Sequence, residues 1–429
     1  MTFGLLGEHL SHSYSPRIHS MLGNDTYTLF PTPQEKLAAF LTEGNFDGLN
    51  VTIPYKKAVL SYLAALSPRA RQLGSVNTIL RRSDGSLYGD NTDYDGFRYM
   101  LRGWESLIRG KKALVLGSGG ASVTVVQVLQ DIGAGQVIVI SRSGADNYDN
   151  LDRHGDAVLL VNTTPVGMYP NNGAAPVDLT RLPALGCVAD IIYNPAKTAL
   201  MLQAQSLGIP AIGGLSMLVA QAKYSVDLFL GKKQKDALIE KIQRKISGEM
   251  KNIVLIGMPG CGKSMIGKRL AAILDREWID IDAEIVKAAG KPIPEIFQQD
   301  GEAAFRRLET QCVAQAGKKS GCVISTGGGV VTRPENRDLL RQNSTVVYIW
   351  RQMTKTYREQ LGLGKEKAQS RPLLIQHSPD ELERQRRPLY LAWSDVKVMN
   401  IGIQETAWQL VSFLRLSPAG KKKSHKKHT

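Results

Sequence analysis

The chain has 429 residues, too many for one ordinary domain and enough for about two or three. A content of 43% hydrophobic and 22% charged side chains excludes global disorder. No run approaches the roughly 18 consecutive apolar residues of a membrane span. Met1–Ser13 lacks a basic start and an apolar centre, so no secretory signal is predicted. The formal charge of +15 is uneven, +3 over residues 1–250 and +12 over residues 251–429, with five lysines in Lys421–Thr429. No basic helix or aromatic platform accompanies it, which points away from nucleic acid and toward small anionic ligands. Cys187, Cys261, Cys312 and Cys322 form no CxxC pair and fit a reducing cytoplasm without disulfides or zinc.

In chain order, the first hundred residues carry polar clusters: Ser11-His-Ser13-Tyr-Ser15-Pro16, Asn50-Val-Thr52-Ile-Pro-Tyr-Lys56, Ser75-Val-Asn77-Thr78 and Gly89-Asp-Asn-Thr-Asp93. Ser13 and Ser15, two apart, are expected on an extended segment with both hydroxyls on one side. Val51-Thr-Ile53 ahead of Pro54 predicts a strand end facing a cleft, with Lys56 beside it. His12 and His19 are read as packing or surface residues.

Lys112–Gly117 then predicts a strand, Gly117-Ser-Gly-Gly-Ala-Ser122 a glycine turn and Val123–Ile132 a helix. That order sets backbone N–H groups and the positive helix end against a pyrophosphate. Ser122 stands where a dinucleotide fingerprint has its third glycine. The next strand, Gln136–Ile140, ends in Ser141-Arg142-Ser143. A basic residue there, in place of the acid that holds the ribose hydroxyls of NAD, suits the 2′-phosphate of NADP. Only about a dozen residues precede the next apolar run, Ala157–Val161, too few for the usual helix and strand. The adenosine side is therefore expected to be simplified. Ala157–Val161 and Val188–Ile192 are further strands.

Lys232–Ile246 has helical spacing (Leu238, Ile239, Ile242, Ile246) and is expected to stop at Ser247-Gly248, with a domain boundary near 249. A second βα unit follows: the strand Asn252–Gly257, the loop Gly257-Met-Pro-Gly260-Cys261-Gly262-Lys263-Ser264 and the helix Ile266–Leu274. This GxxxxGK[ST] loop cradles phosphates on backbone N–H groups, sends Lys263 to the β/γ oxygens and gives Ser264 to Mg²⁺. Cys322–Ser325 and Thr345–Trp350 are further strands. Short apolar strands alternating with helices predict α/β architecture, with parallel sheets covered on both faces.

The ordered clusters before residue 100, with Asn162-Thr-Thr-Pro-Val-Gly-Met168 and Gly213–Gln221, resemble shikimate dehydrogenase over about residues 1–245. Behind the second glycine loop, Asp280-Ile-Asp282, Phe305-Arg306-Arg307-Leu-Glu309, Gly327–Gly329, Arg371-Pro-Leu-Leu374 and Arg386-Arg-Pro-Leu-Tyr390 resemble shikimate kinase. The resemblance implies a two-lobed dehydrogenase over 1–249. Its substrate lobe takes about 1–105 plus helices 216–249, and its Rossmann-like NADP lobe about 106–215. A P-loop kinase domain over 250–418 and a basic tail over 419–429 follow.

The same resemblance assigns residues. Lys56 and Asp93 hold and deliver the proton that an alkoxide needs when a ring ketone is reduced. Ser13 and Ser15 share a carboxylate, and Thr52, Asn77, Tyr193 and Gln221 reach ring hydroxyls. Gly117, Ser118, Gly119, Gly120, Ala121, Ser141, Arg142, Ile191 and Gly214 hold NADP(H). In the kinase, Gly260, Cys261, Gly262, Lys263, Ser264 and Arg371 hold ATP, and Ser264 and Asp280 hold Mg²⁺. Asp280 and Asp282 are expected on one strand face, Asp282 accepting or orienting the proton of the attacking hydroxyl. Arg306 and Arg386 offer planar forks to a carboxylate, and Glu309 steers Arg306. Gly328 and Gly329 admit the substrate, and Arg386 is preferred to Arg387 by its spacing from Pro388. Lys355–Lys367 and Arg371 form a lid. The expected protein is cytoplasmic. It reduces 3-dehydroshikimate with NADPH and phosphorylates the shikimate 3-hydroxyl with ATP, with no nucleic acid, membrane or obligate protein partner. A quinate/shikimate dehydrogenase joined to another polyol kinase and a catalytically dead metabolite sensor are the rival readings.

Overall fold

The computed structural model describes residues 1–10, 13–352, 354, 378–416 and 418. His12, Arg371, the expected lid at 355–367 and the basic tail lie outside the described residues. The chain divides into two compact units, Met1–Ser247 and Gly248–Thr429.

The first lobe of unit 1 contains β1 (Phe3–Gly7), α1 (Ser15–Met21), β2 (Thr28–Pro31), α2 (Leu37–Glu43), β3 (Gly48–Val51), β4 (Ala65–Leu66), α3 (Pro68–Leu73), β5 (Thr78–Arg81), β6 (Leu87–Asp90), α4 (Asp93–Met100) and α5 (Glu105–Ile108). Its sheet has the order β2-β1-β3-β5-β6-β4, with β5 antiparallel to both neighbours. Leu6, Leu49, Val51, Tyr55, Val59 and Ile79 fill the core beneath it. That burial fixes where β3 ends, and so where Thr52 and Lys56 emerge.

The second lobe contains β7 (Lys112–Leu116), α6 (Gly120–Ile132), β8 (Gln136–Ile140), β9 (Leu159–Asn162), β10 (Cys187–Asp190), α7 (Ala199–Ser206) and β11 (Ala211–Gly213). Its five strands run parallel in the order β11-β10-β9-β7-β8. Ala113 and Val115 of β7 enter one core, Leu114 and Leu116 the other. Burial on both faces is why this strand reads as an unbroken apolar run. α8 (Leu215–Leu230) returns to pack against α4 and α1 of the first lobe, and α9 (Ala237–Met250) follows.

The short connection after Ser143 is present as expected, whereas the end of α9 needs correction. The expected strand at 157–161 is β9, and in the short stretch between Ser143 and it the usual helix shrinks to one 3₁₀ turn, Leu151–His154. Side chains replace the missing helix: Asn150 Nδ2 donates to the Ala145 carbonyl at 2.8 Å, and His154 Nε2 lies 2.9 Å from Asp146 Oδ1. α9 does not stop at Ser247-Gly248. Its buried stripe Ile239, Ile242 and Ile246 continues to Met250. The Arg276 guanidinium then serves as the end cap, donating to the carbonyls of Gly248 at 2.7 Å and Lys251 at 2.9 Å.

Unit 2 contains β12 (Asn252–Ile256), α10 (Lys263–Leu274), β13 (Trp278–Asp280), α11 (Ile281–Ala289), α12 (Ile293–Gly317, broken at Gly301), β14 (Val323–Ser325), α13 (Glu335–Arg341), β15 (Ser344–Trp350), α14 (Pro379–Trp393), β16 (Val396–Met399) and α15 (Ile403–Phe413). The strand order is β13-β14-β12-β15-β16, all parallel. Val254 and Ile256 face one core, Ile253 and Leu255 the other. β12 lies between β14 and β15, so the glycine loop opens at the point where the strand order switches. Among the described residues no helix is long and apolar enough to cross a membrane.

Candidate active sites

The cavity of unit 1 encloses about 370 Å³. It brings together Ser13, Ser15, Thr52, Lys56, Asn77, Asp93, Gly120, Ala121, Ile191, Tyr193, Gly214 and Gln221 of the expected residues. Lys56 Nζ lies 2.6 Å from Asp93 Oδ2. Asp93 opens α4, where the helix dipole favours a negative carboxylate. The serines reach the cavity differently from expectation. Ser15 is the first residue of α1, and Ser13 Oγ accepts its N–H at 3.2 Å, so the pair sits at a helix start and not on extended chain. Tyr193 meets Tyr14 edge to face, and burial pushes its phenol up, with Tyr14 adding to the effect.

Gly119 precedes α6 without a side-chain cap, leaving the first N–H groups of a thirteen-residue helix facing outward. This suits the pyrophosphate of a dinucleotide. Gly117 has φ +98°, and a Cβ there would meet Thr164, so the turn excludes other residues. Gly117, Ser118, Gly119, Ser141 and Arg142 do not line the cavity. Ser118 is exposed on the turn, and Arg142 is exposed just beyond β8.

The cavity of unit 2 encloses about 390 Å³ and gathers Gly260, Gly262, Lys263, Ser264, Asp282, Arg306, Gly329 and Arg386. Gly260 and Gly262 have φ of +70° and +102°, which turn the loop's amides inward. Lys263 is 6% exposed, its ammonium donating to the carbonyls of Gly257 at 2.8 Å and Met258 at 2.9 Å. Arg306 is held by Glu309 at 2.7 Å and by Glu302 at 3.1 Å. Burial pushes the Glu309 carboxyl up, and Arg306 pulls it back. Arg386 is buried against the cavity, whereas Arg387 is exposed and 3.7 Å from Glu383.

Three expected residues stand behind the wall. Cys261 is buried, its carbonyl accepting from Asn400 Nδ2 at 2.8 Å. The Gly328 carbonyl is taken by the Tyr390 hydroxyl. Asp280 does not share a strand face with Asp282. The strand ends at Asp280, which caps α11 by accepting the Asp282 N–H at 3.0 Å, and Asp282 enters the cavity from the first helical turn. The aspartate-rich start of a helix wins over strand continuation because Asp is a strong capping residue. Among the described residues no group of three His, Cys, Asp or Glu could hold a metal. A site offering Ser264, with Asp280 behind it, fits Mg²⁺, which keeps several waters and binds through substrate phosphates.

The reading of the sequence missed the apolar wall Ile293, Phe297, Phe305 and Leu382 and, in unit 1, Tyr14, Lys57 and Met217. The available signal was adjacency, since Phe305 precedes Arg306 and Lys57 follows Lys56.

Comparison with known proteins supplies the family. Residues 5–79 match the shikimate dehydrogenase substrate binding domain, and residues 259–414 match shikimate kinase. Shikimate dehydrogenase (NADP(+)) of Clostridium beijerinckii is 39% identical over 241 residues, 51% of this chain and 88% of that protein. The chain belongs to the shikimate dehydrogenase family. It continues into a shikimate kinase domain, so it is an oxidoreductase and a phosphotransferase of the shikimate pathway in one polypeptide. NADP, ATP and Mg²⁺ are the cofactors of these two activities. Solved relatives agree over the first part. A chorismate mutase/shikimate 5-dehydrogenase fusion protein from Clostridium acetobutylicum is 35% identical, covering 57% of this chain and 96% of that chain, with a TM-score of 0.54. Shikimate 5-dehydrogenase from Thermus thermophilus, in complex with NADP(H) and shikimate, is 32% identical, covering 57% and 99%, with a TM-score of 0.52.

Proposed function

We propose that unit 1 reduces 3-dehydroshikimate to shikimate with NADPH and that unit 2 phosphorylates the shikimate 3-hydroxyl with ATP·Mg²⁺. The observation that supports this is that each cavity combines polar side chains suited to a hydroxylated carboxylic acid with the start of a helix that follows a glycine loop, α6 in unit 1 and α10 in unit 2. In unit 1, Ser13 and Ser15 bind the carboxylate, and Thr52, Asn77, Tyr193 and Gln221 bind ring hydroxyls. Lys56 delivers a proton to the carbonyl oxygen while its charge stabilises the forming alkoxide, and Asp93 orients it. NADPH supplies the hydride when bound. Gly117, Ser118, Gly119, Gly120 and Ala121 hold its pyrophosphate, Ser141 and Arg142 its 2′-phosphate, and Ile191 and Gly214 border its nicotinamide.

In unit 2, Arg306 and Arg386 clamp the shikimate carboxylate, with Gly328 and Gly329 leaving room for its ring. Asp282 accepts or orients the proton of the attacking hydroxyl. Gly260, Cys261, Gly262 and Lys263 hold the nucleotide phosphates, Ser264 and Asp280 hold Mg²⁺, and Arg371 belongs with this set. The oxygen made in one unit is the oxygen used in the other, which gives the fusion its chemical logic. One assay decides: 3-dehydroshikimate, NADPH and ATP with purified chain, following NADPH loss and ADP formation together. Both signals, with ADP appearing only after NADPH is consumed, are expected. NADPH loss without ADP, or ADP only with another polyol, would refute the second half of the reading.

A further inference from the structure

Behind the cavity of unit 1 lies a buried polar cluster that no role above uses. At its centre is Ser225 on α8, fully buried and not lining the cavity. Four groups surround its hydroxyl: Asn50 Nδ2 at 2.7 Å, the Thr78 and Thr92 hydroxyls at 3.0 Å each, and the Gln221 carbonyl at 3.0 Å. Asn50 and Thr78 face each other across β3 and β5, and Thr92 immediately precedes α4. One hydroxyl thus joins two strands, a helix start and α8.

Main-chain groups fix the orientation of the two asparagine amides, because a backbone N–H only donates and a carbonyl only accepts. The Thr92 N–H lies 2.7 Å from the Asn77 amide, so that atom is Oδ1. Asn77 Nδ2 then faces Thr92 Oγ1 at 3.1 Å and Gln221 Oε1 at 3.4 Å. The Asn77 carbonyl, 3.3 Å from the Asn50 amide, likewise marks that atom as Nδ2, so Ser225 accepts from Asn50. The only proton of Ser225 goes to the Gln221 carbonyl. Thr92 Oγ1 lies 3.1 Å from Asn77 Nδ2 and 3.2 Å from Asn77 Oδ1, and its contacts with the Thr78 and Ser225 hydroxyls link Asn77 through Thr92 and Ser225 to the Gln221 carbonyl. Gln221 Nε2 is committed to the Leu218 carbonyl at 2.9 Å, so its Oε1 is the atom turned to Asn77. A ring hydroxyl that displaces the long contact of 3.4 Å between Asn77 Nδ2 and Gln221 Oε1 would meet Asn77 as a donor beside Gln221 as an acceptor, and so would both accept and donate.

We propose that Ser225 is a positioning residue: it orients the amides of Asn77 and Gln221 and so sets affinity for the hydroxylated ring without touching it. This rests on the reading of the cavity as a site for a hydroxylated ring acid. Loss of the hydroxyl removes the shortest contact of Asn50 Nδ2 and one partner of Thr92, leaving them to longer contacts in a buried place, where such losses are costly.

The test uses the full chain with Ser225→Ala and Ser225→Thr. In Ser225→Ala the KM for 3-dehydroshikimate rises roughly tenfold, while kcat and the KM for NADPH stay within about twofold. Ser225→Thr, which keeps the hydroxyl, restores the ring affinity. Calorimetry with shikimate and its monodeoxy analogues separates positioning from general loosening. The Ser225→Ala penalty disappears for the analogue lacking the hydroxyl held by Asn77 and Gln221 and persists for the others. An equal penalty for every analogue, or wild-type affinity in Ser225→Ala, overturns the proposal. A wild-type chain that neither turns over nor binds shikimate would refute the functional reading instead. In that event the NMR signals of the Asn77 side-chain NH₂ decide, because they must shift in Ser225→Ala and return in Ser225→Thr. Unchanged signals overturn the positioning role without reference to any ligand.

Discussion

In the proposed reactions Lys56 and Asp282 are the two side chains at which a proton moves, and each has a neighbouring carboxylate that positions it. Asp93 holds Lys56 at 2.6 Å, and the capping of α11 by Asp280 presents Asp282 to the cavity. Lys56→Ala is expected to depress dehydrogenase kcat far more than substrate affinity, since its help is greatest as the alkoxide forms. Asp282→Asn is expected to slow phosphoryl transfer by about 10²–10⁴ with ATP affinity intact. Near-normal turnover of either variant in steady-state assays would remove its residue from the chemistry. Arg142 is exposed beyond β8, and the proposed function gives it the coenzyme 2′-phosphate. Arg142→Ala should cost NADPH use about 1.5–3 kcal/mol, the range of a charge-assisted hydrogen bond. NADH use should hardly change, and equal losses for both coenzymes would make Arg142 a structural residue.

At the scale of elements, α1 carries a pH-sensitive contact. His19 is buried, stacked on Tyr27 with ring centroids 3.7 Å apart, and burial pushes its imidazole down to about 3, with Asn50 opposing the change. The unfolded chain, with an ordinary value of 6.5, binds a proton that the folded unit refuses. Stability from this group is complete above 6.5 and is lost as pH falls toward 3, by up to about 1.4 kcal/mol per pH unit. His19→Phe should flatten that acid limb in thermal melts, and an unchanged limb would place the sensitivity elsewhere. Which elements were legible beforehand has a physical pattern. β7, β12 and β15 were read almost to the residue, because strands buried on both faces must be apolar throughout. The glycine loops were legible because phosphate chemistry restricts backbone as well as side chains. Asp282 was misplaced because Asp-Ile-Asp satisfies a strand's alternation and a helix cap equally, and only packing chooses. The end of α9 was misjudged because Gly248 is a stop signal in sequence, while the cap that extends the helix, Arg276, lies far along the chain. Ser225 was invisible, since a serine on a helix carries no pattern that reports four buried partners.

For the whole molecule, every residue assigned to reduction lies between Ser13 and Gln221, and every residue assigned to phosphorylation lies between Gly260 and Arg386. Each cavity is lined from within its own unit. Residues 1–247 and 248–429, made separately, should therefore each fold and keep most of their turnover. In the full chain Lys56→Ala should spare the kinase, and Lys263→Ala should spare the dehydrogenase. A half that folds yet stays inactive until the other is added back would show a shared site. Completeness of a unit, however, comes late along its own sequence. The first lobe is closed by α8: Phe229 stacks on Phe3 with centroids 4.8 Å apart, and Ser225 bonds to Asn50. On the ribosome the chain emerges from its N-terminus, so β1 and β3 must wait for residues more than 170 positions later, while the second lobe finishes first. A nascent chain arrested just before Leu215 should therefore protect the parallel sheet around β7 from protease and leave Phe3–Val51 open to cleavage.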